Sequence, residues 1–314
     1  MLAIGYRCNY ASYDVETAVL GDIGVPFQHV LGCNEIQRPE EVVALFVRQE
    51  EIDRAFMDQF ANLKVIQRYG VGTDNIDMRG ATDRGIRVCN TPQYGQENEV
   101  STHAVALYLG LSRHLLTRDA DVRNGKWDIG QSEPILGNKG MVLGLFGYGQ
   151  IARKTKEKFD ALGFGKTLVV DPALSAEAAT AAGVELVPLE QLLNHSDVVS
   201  LHAPLNGATK HIINDEALAM MKSTAYLINV SRGGLVDENA LSKALSSEQL
   251  AGAGIDVFES EPPEYSSTIM SAPNTILTDH MAWYSEAAVL KLQTAAAQEV
   301  SRVLSGDNAL YACA

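Results

Sequence analysis

The chain alternates short apolar runs with amphipathic stretches. Residues 2–6 (LAIGY) form an apolar run suited to a buried strand, followed by helical spacing at 15–20 and a second strand at 26–31. Helical spacing is read again at 40–46 and 53–60, and KVIQRY at 64–69 reads as a strand. That strand ends in Gly70-Val71-Gly72, a turn that bulky residues could hardly make. A short helix at 76–83, started by the caps Asp74 and Asp77, leads to a strand at 86–89. Strands alternating with helices predict a parallel α/β sheet.

At Glu99 the rhythm changes. Val100, Ala104, Leu107, Leu111 and Leu115 recur at helical spacing over 100–116, and the mixed Gly, Trp, Pro and Asn of 124–140 read as an extended arm. A second alternating series follows: strand 141–146, helix 150–162 and strands 167–170 and 198–201, then helix 215–221 and strand 225–229. Helix 238–246 and strands 252–257 and 275–277 complete it, and a long helix at 286–304 closes the chain. No solenoid-length repeat or low-complexity segment interrupts this pattern.

Composition narrows the functions open to such a chain. The 314 residues are 46% hydrophobic and 20% charged, as expected of a soluble globular protein long enough for two domains. A formal charge of -14 repels nucleic acid and anionic membrane at long range, so neither is expected as a partner. An anionic substrate would need a local positive site set against that field. Cys8, Cys33, Cys89 and Cys313 are far apart and form no CxxC pair, which predicts free thiols in a reducing compartment. With no leader-like start and no membrane-length apolar run, a cytoplasmic protein is expected. His103 and His114 on one helix face are too far apart to chelate one metal. His195, His202 and His211 also lack ligand spacing, so no catalytic metal is expected.

The chemistry lies in the second series. GYGQIA carries GxGxxA from Gly147 through Gly149 to Ala152, between an apolar strand and a helix. The next strand ends on Asp171, 24 residues beyond Gly147 and close to the roughly 20 expected of the dinucleotide fingerprint. Glycine permits the tight turn and close approach of a pyrophosphate, while the helix N-terminus offers unpaired N–H groups and partial positive charge. Asp171 would accept bonds from ribose hydroxyls and repel a 2′-phosphate, and Pro172 and Ala173 supply no Arg to hold one, which favours NAD.

Arg232 in NVSRGG, Glu261 in VFESEPP and His280 in TDHMAWYS each have an ordinary reading, as a helix-start residue, a surface acid and a core histidine. Each also follows a predicted strand of one parallel sheet, where ligands gather beyond the carboxyl ends. Together they are what reduction of a 2-oxo acid needs. A guanidinium holds the carboxylate through two parallel bonds, an imidazolium protonates the carbonyl oxygen as hydride arrives, and a carboxylate orients the imidazole.

With RYGVGTDNID, GIRVCNTP, GLFGYGQIA, LHAPLNGATKHIIN, INVSRGGLVDENAL, AGAGIDVFESEPP and TDHMAWYS in that order, the chain resembles the D-isomer-specific 2-hydroxyacid dehydrogenases over nearly its whole length. The resemblance implies two doubly wound parallel-sheet domains, Rossmann-like and flavodoxin-like, with the cofactor domain (99–283) inserted into a substrate domain (1–98 and 284–314). It implies that Arg232 binds substrate, Glu261 pairs with the histidine and His280 donates the proton. It also implies that Gly147, Gly149, Gln150, Ile151, Asp171, Val230, Ser231, Arg232, Asp256, His280 and Trp283 line an NAD site, with Asp256 near the nicotinamide amide. Backbone N–H groups of Gly70, Val71 and Gly72 would meet the substrate carboxylate, and a homodimer would form through the helix and arm at 100–140. AWYSE, HSDVVSLH and INDE look most like the C-terminal-binding protein group, which includes NAD(H)-binding corepressors. An NAD(H)-sensing scaffold with vestigial catalysis is therefore the alternative to an NAD-dependent enzyme on a small D-2-hydroxy or 2-oxo acid. A third reading keeps the enzyme and makes phosphite or formate the donor. Two departures, Trp283 beside the proton donor and Thr102 in place of Glu, leave the substrate side chain open.

Overall fold

The computed structural model describes residues 1–127 and 135–313, so the part of the expected arm at 128–134 lies outside the described residues. Two compact units emerge, Met1–Gly95 with Ser285–Ala314, and Gln96–Tyr284.

The first unit carries β1 (Leu2–Tyr6), α1 (Asp14–Gly21), β2 (Phe27–Val30), β3 (Val42–Val47), α2 (Arg54–Met57), β4 (Val65–Arg68), α3 (Met78–Asp83) and β5 (Arg87–Cys89). All strand pairings in it are parallel, in the order β2-β1-β3-β4-β5, which is flavodoxin-like. Ile4, Val30, Leu45, Ile66 and Val88, one from each strand, meet in its core. Helical spacing at 40–46 is overturned here, because that stretch is the central strand β3 with all six residues buried. A strand covered on both faces reads as a continuous apolar run, and such a run matches helical spacing as well as it matches a strand. Its β-branched valines and Pro39, which opens a single 3-10 turn at Pro39–Glu41, are the signals that distinguish the two.

The second unit begins with α4 (Gln96–Ser112) and α5 (Leu115–Arg123). The continuous helix expected over 100–116 breaks between them at His114, whose φ is 51°, so His103 and His114 belong to different helices. There follow β6 (Val142–Phe146), α6 (Gln150–Ala161), β7 (Lys166–Val170), α7 (Ala176–Ala181), β8 (Glu185–Leu186), α8 (Leu189–His195) and β9 (Val198–Leu201). Then come α9 (Asp215–Met220), β10 (Tyr226–Asn229), α10 (Glu238–Ser246), β11 (Gly252–Ile255) and β12 (Thr275–Leu277). The last helix, α11 (Glu286–Leu304), belongs to the first unit and packs on α1 and β4.

The seven-stranded sheet has the order β12-β11-β10-β9-β6-β7-β8, all parallel, which is Rossmann order with one added edge strand. Side-chain alternation sorts its residues onto two faces. Leu143, Leu145, Val198 and Ile228 lie under α4 and α6, while Phe146, Val199, Leu201, Leu227 and Ile255 face α8, α9 and α10. Among the described residues no helix is long and apolar enough to cross a membrane.

The seat of α4 on this sheet depends on Gly254 in β11. A Cβ there would lie 2.8 Å from Leu107 Cβ and 3.0 Å from Ile228 Cδ1. Gly254→Val is expected to lift the helix and cost about 1–3 kcal/mol, as overpacked cores do. Urea unfolding checks this, and a variant as stable as the parent would contradict the packing.

Candidate active site

The strands of the second sheet end level. Phe146 pairs with Val170 and Leu201, Leu201 with Asn229, Asn229 with Ile255, and Ile255 with Leu277. The residues one step further, Gly147, Asp171, His202, Val230, Asp256 and Thr278, therefore form one row along the carboxyl edge. Four of them are candidate cofactor residues. Arg232, Glu261 and His280 stand in the loops after β10, β11 and β12, three adjacent strands.

At the switch point between β6 and β9, Gly147 takes φ 93°, and a Cβ there would lie 2.8 Å from the backbone of His202 and Ala203. Gly149 is the N-cap of α6, with no atom within 4 Å of where a Cβ would stand. Gln150 and Ile151 open that helix, whose first turn has backbone N–H groups with no partner inside the helix, as a pyrophosphate site requires. Asp171 accepts Tyr148 N–H at 2.7 Å and Ala173 N–H at 2.8 Å, one on each oxygen. Lone pairs remain on both oxygens for ribose hydroxyls. The residues thus fit a dinucleotide.

After β10 the backbone folds on itself. Asn229, buried at the strand end, donates to Arg232 O at 2.9 Å and accepts Ser231 N–H at 3.2 Å, while Ser231 Oγ donates to Ala203 O at 2.7 Å. Arg232 Nη1 donates to Ser231 O at 2.8 Å. The next residue, Gly233, lies so close to the Phe258 and Glu259 backbone that any Cβ would overlap the Phe258 carbonyl. That approach seats the Arg232 turn against the loop carrying Glu261.

Glu261 and His280 are in direct contact. His280 Nδ1–H donates to Glu261 Oε2 at 2.6 Å, and Glu261 Oε1 accepts Phe258 N–H at 3.1 Å. Because the carboxylate accepts, Nδ1 keeps its proton and the exchangeable one belongs to Nε2. His280 itself has φ 57°, a left-handed backbone that a non-glycine residue adopts at a cost of about 1–2 kcal/mol. Asp256, 1% exposed, opposes that strain. Its carbonyl accepts His280 N–H at 2.8 Å, and its carboxylate accepts Met281 N–H at 2.9 Å and Ala282 N–H at 3.0 Å. Trp283 Nε1–H donates to His280 O at 3.0 Å, so this indole braces the histidine backbone.

Of the predicted residues, then, the second unit brings together Arg232, Glu261, His280, Asp256, Trp283 and the Gly147–Asp171 fingerprint. The Gly70-Val71-Gly72 turn belongs to the first unit. Gly70 has φ 126° and accepts Thr91 N–H at 2.8 Å, and Val71 O accepts Asn90 Nδ2–H at 2.7 Å. Asn229, which shapes the Arg232 turn, is a residue that motif reading passes over. The signal for Asn229 was an Asx residue at a strand end, a type that folds the following backbone.

These geometries agree with what the chain is similar to. The sequence profile of the D-isomer specific 2-hydroxyacid dehydrogenase, NAD binding domain, matches residues 105–282. A glyoxylate reductase of Thermococcus litoralis is 39% identical over 255 residues, covering 78% of this chain and 76% of that protein. Another, from Korarchaeum cryptofilum, is 40% identical over 252 residues, covering 79% and 75%. Among solved structures, D-lactate dehydrogenase of Aquifex aeolicus, complexed with NAD and lactic acid, superposes with a TM-score of 0.87 at 25% identity over 97% of this chain and 96% of that one. The chain belongs to the D-isomer specific 2-hydroxyacid dehydrogenase family, and it is an oxidoreductase moving hydride between a nicotinamide cofactor and a 2-hydroxy or 2-oxo acid. The narrower likeness to the C-terminal-binding protein group is not carried by these relatives.

His202, in the row beside Gly147, is held neutral: burial pushes its imidazole down to about 3, and its Nε2 pairs with Ser200 Oγ at 2.9 Å. Since the unfolded histidine takes a proton near pH 6.5 and the folded one does not, stability contributed by this residue is lost as pH falls from about 6.5 towards 3. Between pH 8 and pH 5 the loss amounts to about 1–2 kcal/mol. Thermal unfolding at both pH values should show a smaller acid destabilisation in His202→Gln than in the parent, and equal losses would contradict the assignment.

Proposed function

We propose that this enzyme uses NADH to reduce a small 2-oxo acid of the glyoxylate type, with Arg232, Glu261 and His280 as its working residues. The observation that carries the reading is the 2.6 Å bond between His280 Nδ1 and Glu261 Oε2, in loops adjacent to the Arg232 turn. NADH, when bound along the Gly147–Asp171 edge, supplies the hydride. Arg232 binds the substrate carboxylate through its guanidinium and fixes the carbonyl. His280 gives the Nε2 proton to the carbonyl oxygen as charge develops there, and Glu261 stabilises and orients the imidazolium before that transfer. In the reverse direction His280 takes the hydroxyl proton.

NAD rather than NADP is supported by Asp171, whose carboxylate at the end of β7 would face a 2′-phosphate with like charge. The glyoxylate reductase relatives support a short substrate. A sensor with vestigial catalysis is not favoured, because the acid–base pair is formed at hydrogen-bonding distance. A homodimer through 100–140 is supported by the exposed apolar side chains of Leu115, Leu116, Val122 and Trp127, and sedimentation tests it.

NADH oxidation against glyoxylate, hydroxypyruvate, pyruvate, longer 2-oxo acids and phosphohydroxypyruvate tests the substrate class. Turnover of a short member is expected to fall at least about 100-fold in Arg232→Ala and about 100- to 10,000-fold in His280→Ala. NADPH should serve poorly until Asp171 is replaced by Ser. Unchanged turnover in His280→Ala would overturn the proton-donor assignment.

A further inference from the structure

Resting on the reading of His280 as proton donor, we propose that His103 is a positioning residue for it. The link is a directed chain of hydrogen bonds from α4 to the loop after β12.

The polarity of that chain follows from counting protons. Thr278 Oγ1 lies 2.6 Å from Asp256 Oδ1 and 3.0 Å from His103 Nε2. The Asp256 carboxylate is already an acceptor, from Met281 N–H on Oδ1 and Ala282 N–H on Oδ2. Thr278 therefore spends its single proton on Asp256 and can only accept from His103, which must carry hydrogen on Nε2. The same Nε2 is 3.6 Å from Asp256 Oδ1, so the donor also faces the carboxylate directly. One continuous sequence results: His103 Nε2–H to Thr278, Thr278 O–H to Asp256, and Asp256 accepting from the two amides that follow His280.

The far end of the chain is where the strain sits. His280 has φ 57°, and the amides of Met281 and Ala282 are what a relaxed backbone would release. A buried carboxylate polarised by the Thr278 hydroxyl and the His103 N–H is a fixed acceptor for both, and such chains reinforce each bond along them. His103 is anchored on the seventeen-residue α4, which packs on β10, β11 and β12, so it joins a rigid helix to the histidine loop. It touches no reacting atom, and its effect reaches the imidazole through the backbone of residues 280–282.

The test compares His103→Phe, His103→Gln and Thr278→Val with the parent and with His280→Ala as control. Amide hydrogen exchange is followed in the cofactor-free protein, and kcat, KM and NADH affinity by fluorescence in the complete enzyme. In His103→Phe and Thr278→Val, exchange at Met281 and Ala282 should quicken, and kcat should fall about 10- to 100-fold as the donor loses its alignment. In His103→Phe NADH affinity should stay within about threefold, because the Gly147–Asp171 fingerprint is untouched. His103→Gln, which restores an N–H donor, should recover most of both losses. Parent-like exchange and kcat in His103→Phe would overturn the proposal. So would equal damage in His103→Gln and His103→Phe, which would make His103 a packing residue. His280→Ala separates the failures: parent-like turnover there removes the donor reading, whereas exchange at residues 281 and 282 still judges the positioning chain.

Discussion

The level ends of the parallel strands in the second sheet place Gly147, Asp171, His202, Val230, Asp256 and Thr278 in one row, and Arg232, Glu261 and His280 stand in the loops just beyond it. Within that row the buried carboxylate of Asp256 bears the greatest demand. It accepts Thr278 O–H and two backbone N–H groups, while its own carbonyl takes His280 N–H. A charge this deep is tolerated only when its lone pairs are met by donors. The bonds that meet them hold the chain after β12 doubled back, with His280 in its left-handed conformation. Burial at one residue thus becomes aim at another.

The division of labour among neighbouring loops follows from the same geometry. Asn229 ties the Arg232 turn down, Gly233 lets it meet the loop after β11, and that loop returns Glu261 to His280. None of these side chains would be useful alone. A guanidinium without a fixed turn would not orient a carboxylate, and an imidazole without Glu261 would not be held in a single tautomer. Three strands in register bring residues separated by long stretches of sequence into neighbouring loops, where the proposed acid–base and anion-binding roles would meet.

Much of this was legible from sequence because the signals were local. The Gly147–Asp171 spacing specifies a strand, a tight turn and a helix, and the residues following apolar runs made Arg232, Glu261 and His280 the candidates. What escaped reading had non-local causes. The stretch at 42–47 is uniformly apolar because β3 is covered on both faces, which erased the two-residue period that marks a half-exposed strand. The elements between 176 and 195 are short, β8 having only two residues, and they left little periodicity to find. His103 was legible as a helical residue, but its partner Thr278 lies 175 positions away, and only the folded register brings the two together.

The most direct measurement is the fate of the label from NADH deuterated at C4 on the transferred face, with glyoxylate or another short 2-oxo acid, followed by NMR in the parent and in His280→Ala. Deuterium at C2 of a D-2-hydroxy acid in the parent, with the same label position at a rate lower by about 100-fold or more in the variant, is the expected result. Absence of label at C2, or equal rates in the two proteins, would contradict hydride transfer assisted by His280.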